Sequence, residues 1–455
     1  MASAAIFHLL DKHVMNTLLL LLPILAAPQV AAVDKSPRIQ PPIRPNIIMV
    51  LADDFGVDLF NAYDEGNVPP CTPHLDTLAG EGMLFRNAWT NPVCTPTRAA
   101  VLTGRYGFRT GMGGVGGGTA LPASELIVPE MLLGYESSAV GKWHLGSGGG
   151  GGGAGGNMHP NSSGFDYYAG ALGGGVGDYY QWQKVTNGQT STSTTYATTD
   201  TADEAIAAML SMPEPWFLYV SFNAPHSPWH EPPDTLCPNN GLCQMGFCGN
   251  LPSNAGNRRL GKAMVEAMDT EFGRVLQTLE QIDPDALVVF MGDNGTPGQL
   301  SQAPFESNHA KGTMYEGGVN VPLIIKGTGV AQGECDALVS SVDLFATFAD
   351  VAGAPDTTED SISLVPYFSN PHLNLRETVY SEIFSPNGSV LPIADHRRAI
   401  RDRRYKLIRE NGQPDEFYDL LQDPFETSNL LPNLGQRQQL AFDSFEAQFV
   451  AYGVD

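Results

Sequence analysis

Three apolar runs, with a polar residue only at or next to an end, constrain this chain more than anything else in it. Residues 46–51, 216–222 and 286–291 show no polar alternation. Each therefore reads as a strand covered on both faces, the pattern of a parallel sheet sandwiched between helices. Between them 73–82, 203–212 and 258–282 read as helices. In the last, Leu260, Ala263, Met264, Ala267, Met268, Phe272, Val275, Leu276 and Leu279 recur at intervals of three and four. Shorter runs at 83–89, 134–140 and 321–325 add strands, and the stretch 169–199 holds one or two short hairpin strands. Strands alternating with helices predict an α/β fold around a large, mostly parallel sheet flanked by helices. From about residue 375 the pattern changes. Residues 377–383, 399–409 and 416–420 read as antiparallel strands and 434–452 as a closing helix, a smaller C-terminal α+β unit. The chain is accordingly divided into a catalytic domain over 45–370 and a C-terminal subdomain over 371–455.

Parallel sheets bind ligands outside the carboxyl ends of their strands. Asp53 and Asp54 follow the first run, Lys142 and His144 the strand at 134–140, His226 the run at 216–222, and Asp293 with Asn294 the run at 286–291. Polar groups after four different strands can thus converge on one edge. Asp53, Asp54, Asp293 and Asn294 offer only oxygen ligands, which suits a hard cation. Calcium fits a cage built largely by protein, with magnesium as the alternative. Lys142 and Lys311 can hold oxyanions there. Asn294 also opens a glycosylation sequon, which burial at a metal excludes, leaving Asn161 and Asn387 as surface candidates.

A formal net charge of -24 excludes nucleic acid and anionic membrane surfaces as partners, since both need a basic face. It also requires that an enzyme of anionic esters concentrate its few cations at the site. The apolar segment 16–32, broken by Pro23 and Pro28 and ending Val30-Ala31-Ala32, reads as a signal peptide (1–32) and not as a membrane span. Export, secreted or periplasmic (lysosomal or extracellular in a eukaryote), permits disulfides. Cys237, Cys243 and Cys248 then mark a loop stapled by one bridge and tied to Cys71 or Cys335. The near-pure glycine run 147–156 reads as a flexible surface loop.

Cys94 stands before Thr95-Pro96-Thr97-Arg98 and the helix-forming residues 99–102. With Pro96 at the first helical position, backbone N–H groups face the cysteine, and Arg98 folds back over the same spot to offer its donors to oxyanions. Cys-x-Pro-x-Arg followed by Leu-Thr-Gly-Arg resembles the signature of the type I sulfatases, the formylglycine-dependent arylsulfatases of the alkaline phosphatase superfamily. Similar patches run from 46 to about 430: Gly134-Tyr135 through Gly141-Lys142-Trp143-His144, Ala224-Pro225-His226, Gly292-Asp293-Asn294-Gly295, Lys311-Gly312, and Phe417-Tyr418-Asp419-Leu420.

The resemblance implies a sulfuric ester hydrolase acting on a sulfated aryl compound or glycan, with Cys94 converted to formylglycine by a formylglycine-generating enzyme during maturation. By it, Asp53, Asp54, Asp293, Asn294 and modified Cys94 bind the metal. Arg98 and His144 support the formylglycine, Lys142, His226 and Lys311 hold sulfate, and His226 or Lys311 protonates the leaving alcohol. A phosphodiesterase or phosphonate monoester hydrolase of the same superfamily, or a sulfated-glycan binding protein without turnover, is the alternative. One departure stands out: where family members often place a polar residue after Gly164-Phe165-Asp166, this chain has Gly170-Ala-Leu-Gly-Gly-Gly.

Overall fold

The computed structural model describes residues 44–116, 119–146, 155–238, 246–249, 251–355 and 358–454. The expected signal peptide, positions 147–154 of the glycine run, and Cys243 lie outside the described residues. One large sheet contains β1 (Ile47–Ala52), β2 (Met83–Trp89), β3 (Glu136–Gly141), β4 (Tyr167–Gly170), β5 (Trp182–Thr186), β6 (Gln189–Ser193), β7 (Trp216–Ser221), β8 (Leu287–Gly292), β9 (Leu323–Lys326) and β10 (Gly333–Ser340), in the order β10-β2-β9-β8-β1-β7-β3-β4-β5-β6. Its centre is parallel: β8, β1, β7, β3 and β4 run the same way. β9 pairs antiparallel with both β8 and β2, and β5 and β6 continue antiparallel from β4 as a hairpin.

The apolar runs are explained by their two covers. Along β1, Ile47, Met49 and Leu51 enter one core with Leu344, Phe345 and Phe348 of the helix Asp343–Ala352. Ile48, Val50 and Ala52 enter the other with Met264, Met268, Phe272 and Val275 of the helix Asn257–Ile282. Period two decides which face each residue serves, and both faces are dry.

The second sheet is β11 (Val379–Ser385), β12 (Asp395–Arg401), β13 (Tyr405–Glu410) and β14 (Glu416–Asp419), antiparallel in sequential order. The expected single strand over 399–409 is two strands. Asp402 divides it: its Oδ1 accepts from the backbone N–H of Arg404 and Tyr405 at 2.7 and 2.6 Å, and its own N–H donates to the Tyr405 carbonyl at 3.0 Å. Such a side-chain turn competes locally with an extended run. β10 and the helix Asp343–Ala352 also fall in a stretch, 326–374, where the sequence reading places no element. The helix Gln436–Tyr452 covers one face of the small sheet through Phe445 and Phe449, while Val379, Ala399, Ile408 and Tyr418 on the other face pack on Trp89, Met314 and Val319.

The cysteine reading holds where it is described: Cys237 and Cys248 form a disulfide, Cys71 is disulfide-bonded, and Cys94 and Cys335 are free.

Charge also joins the two sheets. Lys406 of β13 is fully buried, with Nζ 3.0 Å from Glu316 Oε1 and 2.7 Å from Glu426 Oε1, and it lies 4.7 Å over the Trp89 ring. Glu316 also receives Arg401 at 3.0 Å and the Trp89 indole N–H at 3.3 Å. Removing one member of a buried ion cluster strands the others without counter-charge. Lys406→Met should therefore lower stability by about 3–5 kcal/mol, read from chemical denaturation. A loss below about 1 kcal/mol would show that the cluster does not hold the sheets together.

Candidate active site

Because β8, β1, β7 and β3 are adjacent and parallel, the segments that follow them leave on the same edge. Backbone bonds stitch these exits together: Asp53 N–H to the Ala224 carbonyl at 3.1 Å, Asp293 N–H to Ala52 at 3.0 Å, and Lys142 N–H to Ser221 at 2.8 Å. Asp54 and His144 adopt left-handed backbone, φ 67° and 57°, an uncommon state for non-glycine residues that turns their side chains into the site.

The helix after β2 begins at Cys94 itself, with Val93 before it, and runs to Thr103. Pro96 is thus the third helical residue and not the first. The shift costs no hydrogen bond, since the first four N–H groups of a helix have no intrahelical partner. Thr97 fixes the entry by accepting from Asn91 N–H at 3.0 Å and donating to the Asn91 carbonyl at 3.1 Å.

Arg98 is fully buried and does not hold its fork open for a ligand. Nε and Nη2 donate to Asp293 Oδ2 at 3.1 and 2.7 Å, and Nη1 donates to the Lys142 carbonyl at 3.2 Å and to Ser221 Oγ. These bonds use four of the five guanidinium N–H groups. The reason is electrostatic: a carboxylate buried at the strand edge outcompetes empty space for the nearest cation.

Asp53, Cys94 and Asp293 each place a ligand atom within 4.8 Å of one another, and so do Asp53, Asp54 and His226. Lys142 Nζ lies 2.6 Å from Asp53 Oδ2, Lys311 Nζ bonds to Asp54 Oδ1, and Asn294 Nδ2 donates to the same Asp54 oxygen at 3.0 Å. The Asp54 N–H donates to Asp293 Oδ1 at 3.0 Å. Lys142 is wholly buried, whereas the Lys311 side chain keeps 19% of its surface. Lys311 is thus the lysine with access to solvent.

The protonation states follow from burial and these pairings. Burial alone would raise Asp53, but Lys142, His226, Arg98 and Lys311 pull it well below the ordinary carboxylate range. Asp293 is pushed up to about 6 by burial and by the Asp53 charge, against Arg98 and Lys142. Burial pushes the Cys94 thiol up in spite of Lys142 and Lys311, so an unmodified Cys94 is a neutral thiol and a poor nucleophile. His144 falls well below the ordinary imidazole value through burial, then Lys142 and Arg98, and is neutral.

Two acceptors in this cluster, Asp53 Oδ1 and Asn294 Oδ1, are buried without a hydrogen-bond partner among the described residues. Buried acceptors seldom stay unpaired. With the carboxylates of Asp54 and Asp293 beside them, they make a donor set that a hard cation fits.

Several site residues had no signal in a motif. Ser221 is the polar end of an otherwise apolar strand and binds Arg98. Asp58 accepts from Thr296 Oγ1, whose oxygen also accepts from Gly56 N–H at 3.2 Å, so it braces the loops after β1 and β8. Tyr179 donates to the carbonyls of Asn223 and His226 at 2.7 and 2.8 Å. An isolated hydroxyl in a long sequence carries no mark of such a partner. The expected glycosylation candidate Asn387 instead ties a loop, accepting from Gly113 and Gly114 N–H at 3.0 and 2.8 Å.

A strand edge that gathers carboxylates, cations and a buried helix-start cysteine, with two imidazoles beside them, defines a hydrolase of oxyanion esters on an α/β sheet. Sequence comparison makes this specific. Residues 45–354 match the Sulfatase family, and 307–443 match the family described as N-sulphoglucosamine sulphohydrolase, C-terminal. N-acetylgalactosamine-6-sulfatase of Rattus norvegicus is 30% identical over 79% of this chain and 71% of its own length. The ulvan-active sulfatase of Formosa agariphila is 27% identical over 86% and 78%. The crystal structure of Ps i-CgsB superposes with a TM-score of 0.73 at 27% identity, covering 89% of this chain and 92% of that one. BT4656, solved in complex with its substrate D-glucosamine-2-N,6-O-disulfate, shares the fold with a TM-score of 0.72 at 22% identity over 90% and 98%. The chain belongs to the sulfatase family and is a sulfuric ester hydrolase.

Arg98→Lys keeps the charge but loses the fork. Asp293, Ser221 and the Lys142 carbonyl would then share one ammonium, and the variant should lose about 2–4 kcal/mol of stability in urea unfolding. An unchanged midpoint would mean that the four bonds carry no load.

Proposed function

We propose that the protein releases inorganic sulfate from a sulfated carbohydrate, using a formylglycine made from Cys94 and a calcium ion held by Asp53, Asp54, Asp293 and Asn294. The observation that carries this reading is the pair of unpartnered acceptors, Asp53 Oδ1 and Asn294 Oδ1, beside a buried and neutral Cys94. Formylglycine supplies, when present, a hydrated aldehyde with a hydroxyl nucleophile where a protonated thiol supplies none. The calcium, when bound, supplies positive charge at that same point.

This chain's own residues do the rest. Arg98 anchors Asp293 and so keeps the carboxylates in register with the helix start. Lys311, which reaches solvent, meets the incoming sulfate oxygens, and Lys142 adds a second positive charge from below. His226 donates its Nδ1–H to the Ser227 carbonyl at 2.7 Å. As a cation the ring therefore donates from Nε2, the geometry of a general acid to the leaving alcohol oxygen. His144, neutral and with its Nδ1 buried without a partner, accepts a proton when the site must be reset.

The carbohydrate substrate is supported by the names of the relatives, which act on an N-acetylgalactosamine 6-sulfate and on ulvan. Export, secreted or periplasmic, is supported by the disulfide Cys237–Cys248. No helix among the described residues is long and apolar enough to cross a membrane. The reading also implies a signal peptide at 1–32, maturation by a formylglycine-generating enzyme, a catalytic domain over 45–370 and a C-terminal subdomain over 371–455.

The deciding experiment has two parts. The peptide containing Cys94 should weigh roughly 18 Da less than the unmodified sequence. The same preparation should release sulfate from N-acetylgalactosamine 6-sulfate or an aryl sulfate faster than it cleaves an aryl phosphodiester. Faster phosphodiester cleavage would make it a phosphodiesterase, and neither activity in modified protein would make it a binding protein.

The metal has its own test. Removing a cation leaves Asp53 Oδ1 and Asn294 Oδ1 buried without a partner, so chelation should lower both activity and thermal stability. Calcium restored at 100 times its Kd should return about 2.7 kcal/mol. A midpoint indifferent to calcium in protein shown to have lost its metal would count against the cage.

A further inference from the structure

Gly174 and Gly175 run against the two imidazoles of the site. A β-carbon placed on Gly174 would lie 2.5 Å from His144 Nε2 and 2.6 Å from its Cε1. One placed on Gly175 would lie 3.1 Å from His226 Cε1 and 3.2 Å from its Nδ1. Gly177, two residues on, has nothing within 4 Å of that position. None of the three has positive φ, so their backbone alone does not demand glycine. What demands it at 174 is the His144 ring.

Hydrogen bonds leave that ring free to move. The backbone of Trp143 and His144 is tied to the glycine-rich segment, with N–H donated to the Ala171 and Leu172 carbonyls at 2.9 and 3.1 Å. Among the described residues the imidazole has no such anchor, and its Nδ1 is buried without a partner. A ring without hydrogen bonds is located by packing, and the surface it meets is the bare backbone at Gly174.

We infer that Gly174 is a positioning residue for His144: the side-chain-free backbone is the wall that sets where that imidazole stands, while at Gly175 it only backs the His226 ring, which its bond to the Ser227 carbonyl already holds. This rests on the reading of those histidines as the proton-handling groups of the reaction. It also gives a purpose to the absence of a polar side chain in 170–175, since the space such a side chain would take is occupied by the rings themselves.

The test is a set of alanine variants of the full-length, matured protein. A contact of 2.5 Å is too short for any β-carbon, and the mobile partner is the far end of His144, so Gly174→Ala should push that ring by roughly 1 Å while the backbone stays put. Its crystal structure should show this displacement, with thermal stability as in the parent. Since a misplacement of about 1 Å is worth about 100-fold, kcat for sulfate release should fall by that order with KM nearly unchanged. Gly175→Ala should fall less, and Gly177→Ala should match the parent in every readout. An unmoved His144 ring, parental kcat in Gly174→Ala, or a loss of stability that accounts for the lost activity would each overturn the assignment. If the parent releases no sulfate at all, the functional reading fails, and the ring displacement still decides the role of Gly174.

Discussion

The site depends on the Arg98–Asp293 pair, a guanidinium and a carboxylate both wholly removed from solvent and 2.7 Å apart. Desolvating two such charges is expensive, and their attraction compensates only when the remaining donors and acceptors are satisfied. Arg98 meets that condition by binding Ser221 at the end of β7 and the Lys142 carbonyl just past β3, while Asp293 follows β8 and receives the Asp54 N–H from the segment after β1. One ion pair therefore joins the exits of the four central strands. The helix that carries Arg98 also carries Cys94 at its first position, so Cys94 is held relative to the acidic residues through a single turn of helix.

Around that pair three carboxylates face three cations, but the hydrogen-bond acceptors are not all satisfied. Asp53 and Asp54 each take a lysine, and Asp293 takes Arg98, yet two oxygen acceptors remain unpaired and Asp293 is still pushed upward. Such under-satisfaction is costly in a hydrophobic interior and is retained where a ligand completes the set. The left-handed backbone of Asp54 and His144 belongs to the same pattern, since strained residues persist only where the surroundings over-determine them.

The acidity of the chain as a whole is compatible with an anionic substrate because charge acts locally. At physiological ionic strength exposed charges more than about 8 Å apart are largely screened. The cations of the site, Arg98, Lys142 and Lys311, are shielded from solvent or nearly so, and their charge acts at short range in a medium that screens little. Lys406, Arg401 and Glu316 add a second buried charge cluster. It pins the small sheet to the segment that carries Lys311, which lies five residues before Glu316 in the chain.

The residues gathered at the strand edge and the parallel character of the sheet's centre were legible from sequence, because both follow from local rules. An apolar run without alternation is a doubly covered strand wherever it occurs, and in parallel strands the residue after each one arrives at the same edge. Asp53, Asp54, Lys142, His144, His226, Asp293 and Asn294 were found in this way, and the motif around Cys94 named the chemistry. β10 and the helix Asp343–Ala352 were not seen, and the strand over 399–409 was read as one, since Asp402 turns the chain through bonds that composition does not announce. What tertiary structure alone decided is how the donors are shared out. Arg98 was expected to face the ligand and instead binds Asp293, 195 residues away, while Gly174 and Gly175 were read as missing side chains and are the wall beside two histidines. A side chain's type is written in the chain, but its partner is chosen by which groups folding desolvates together, and that choice is made between residues too distant in sequence for any local pattern to record it.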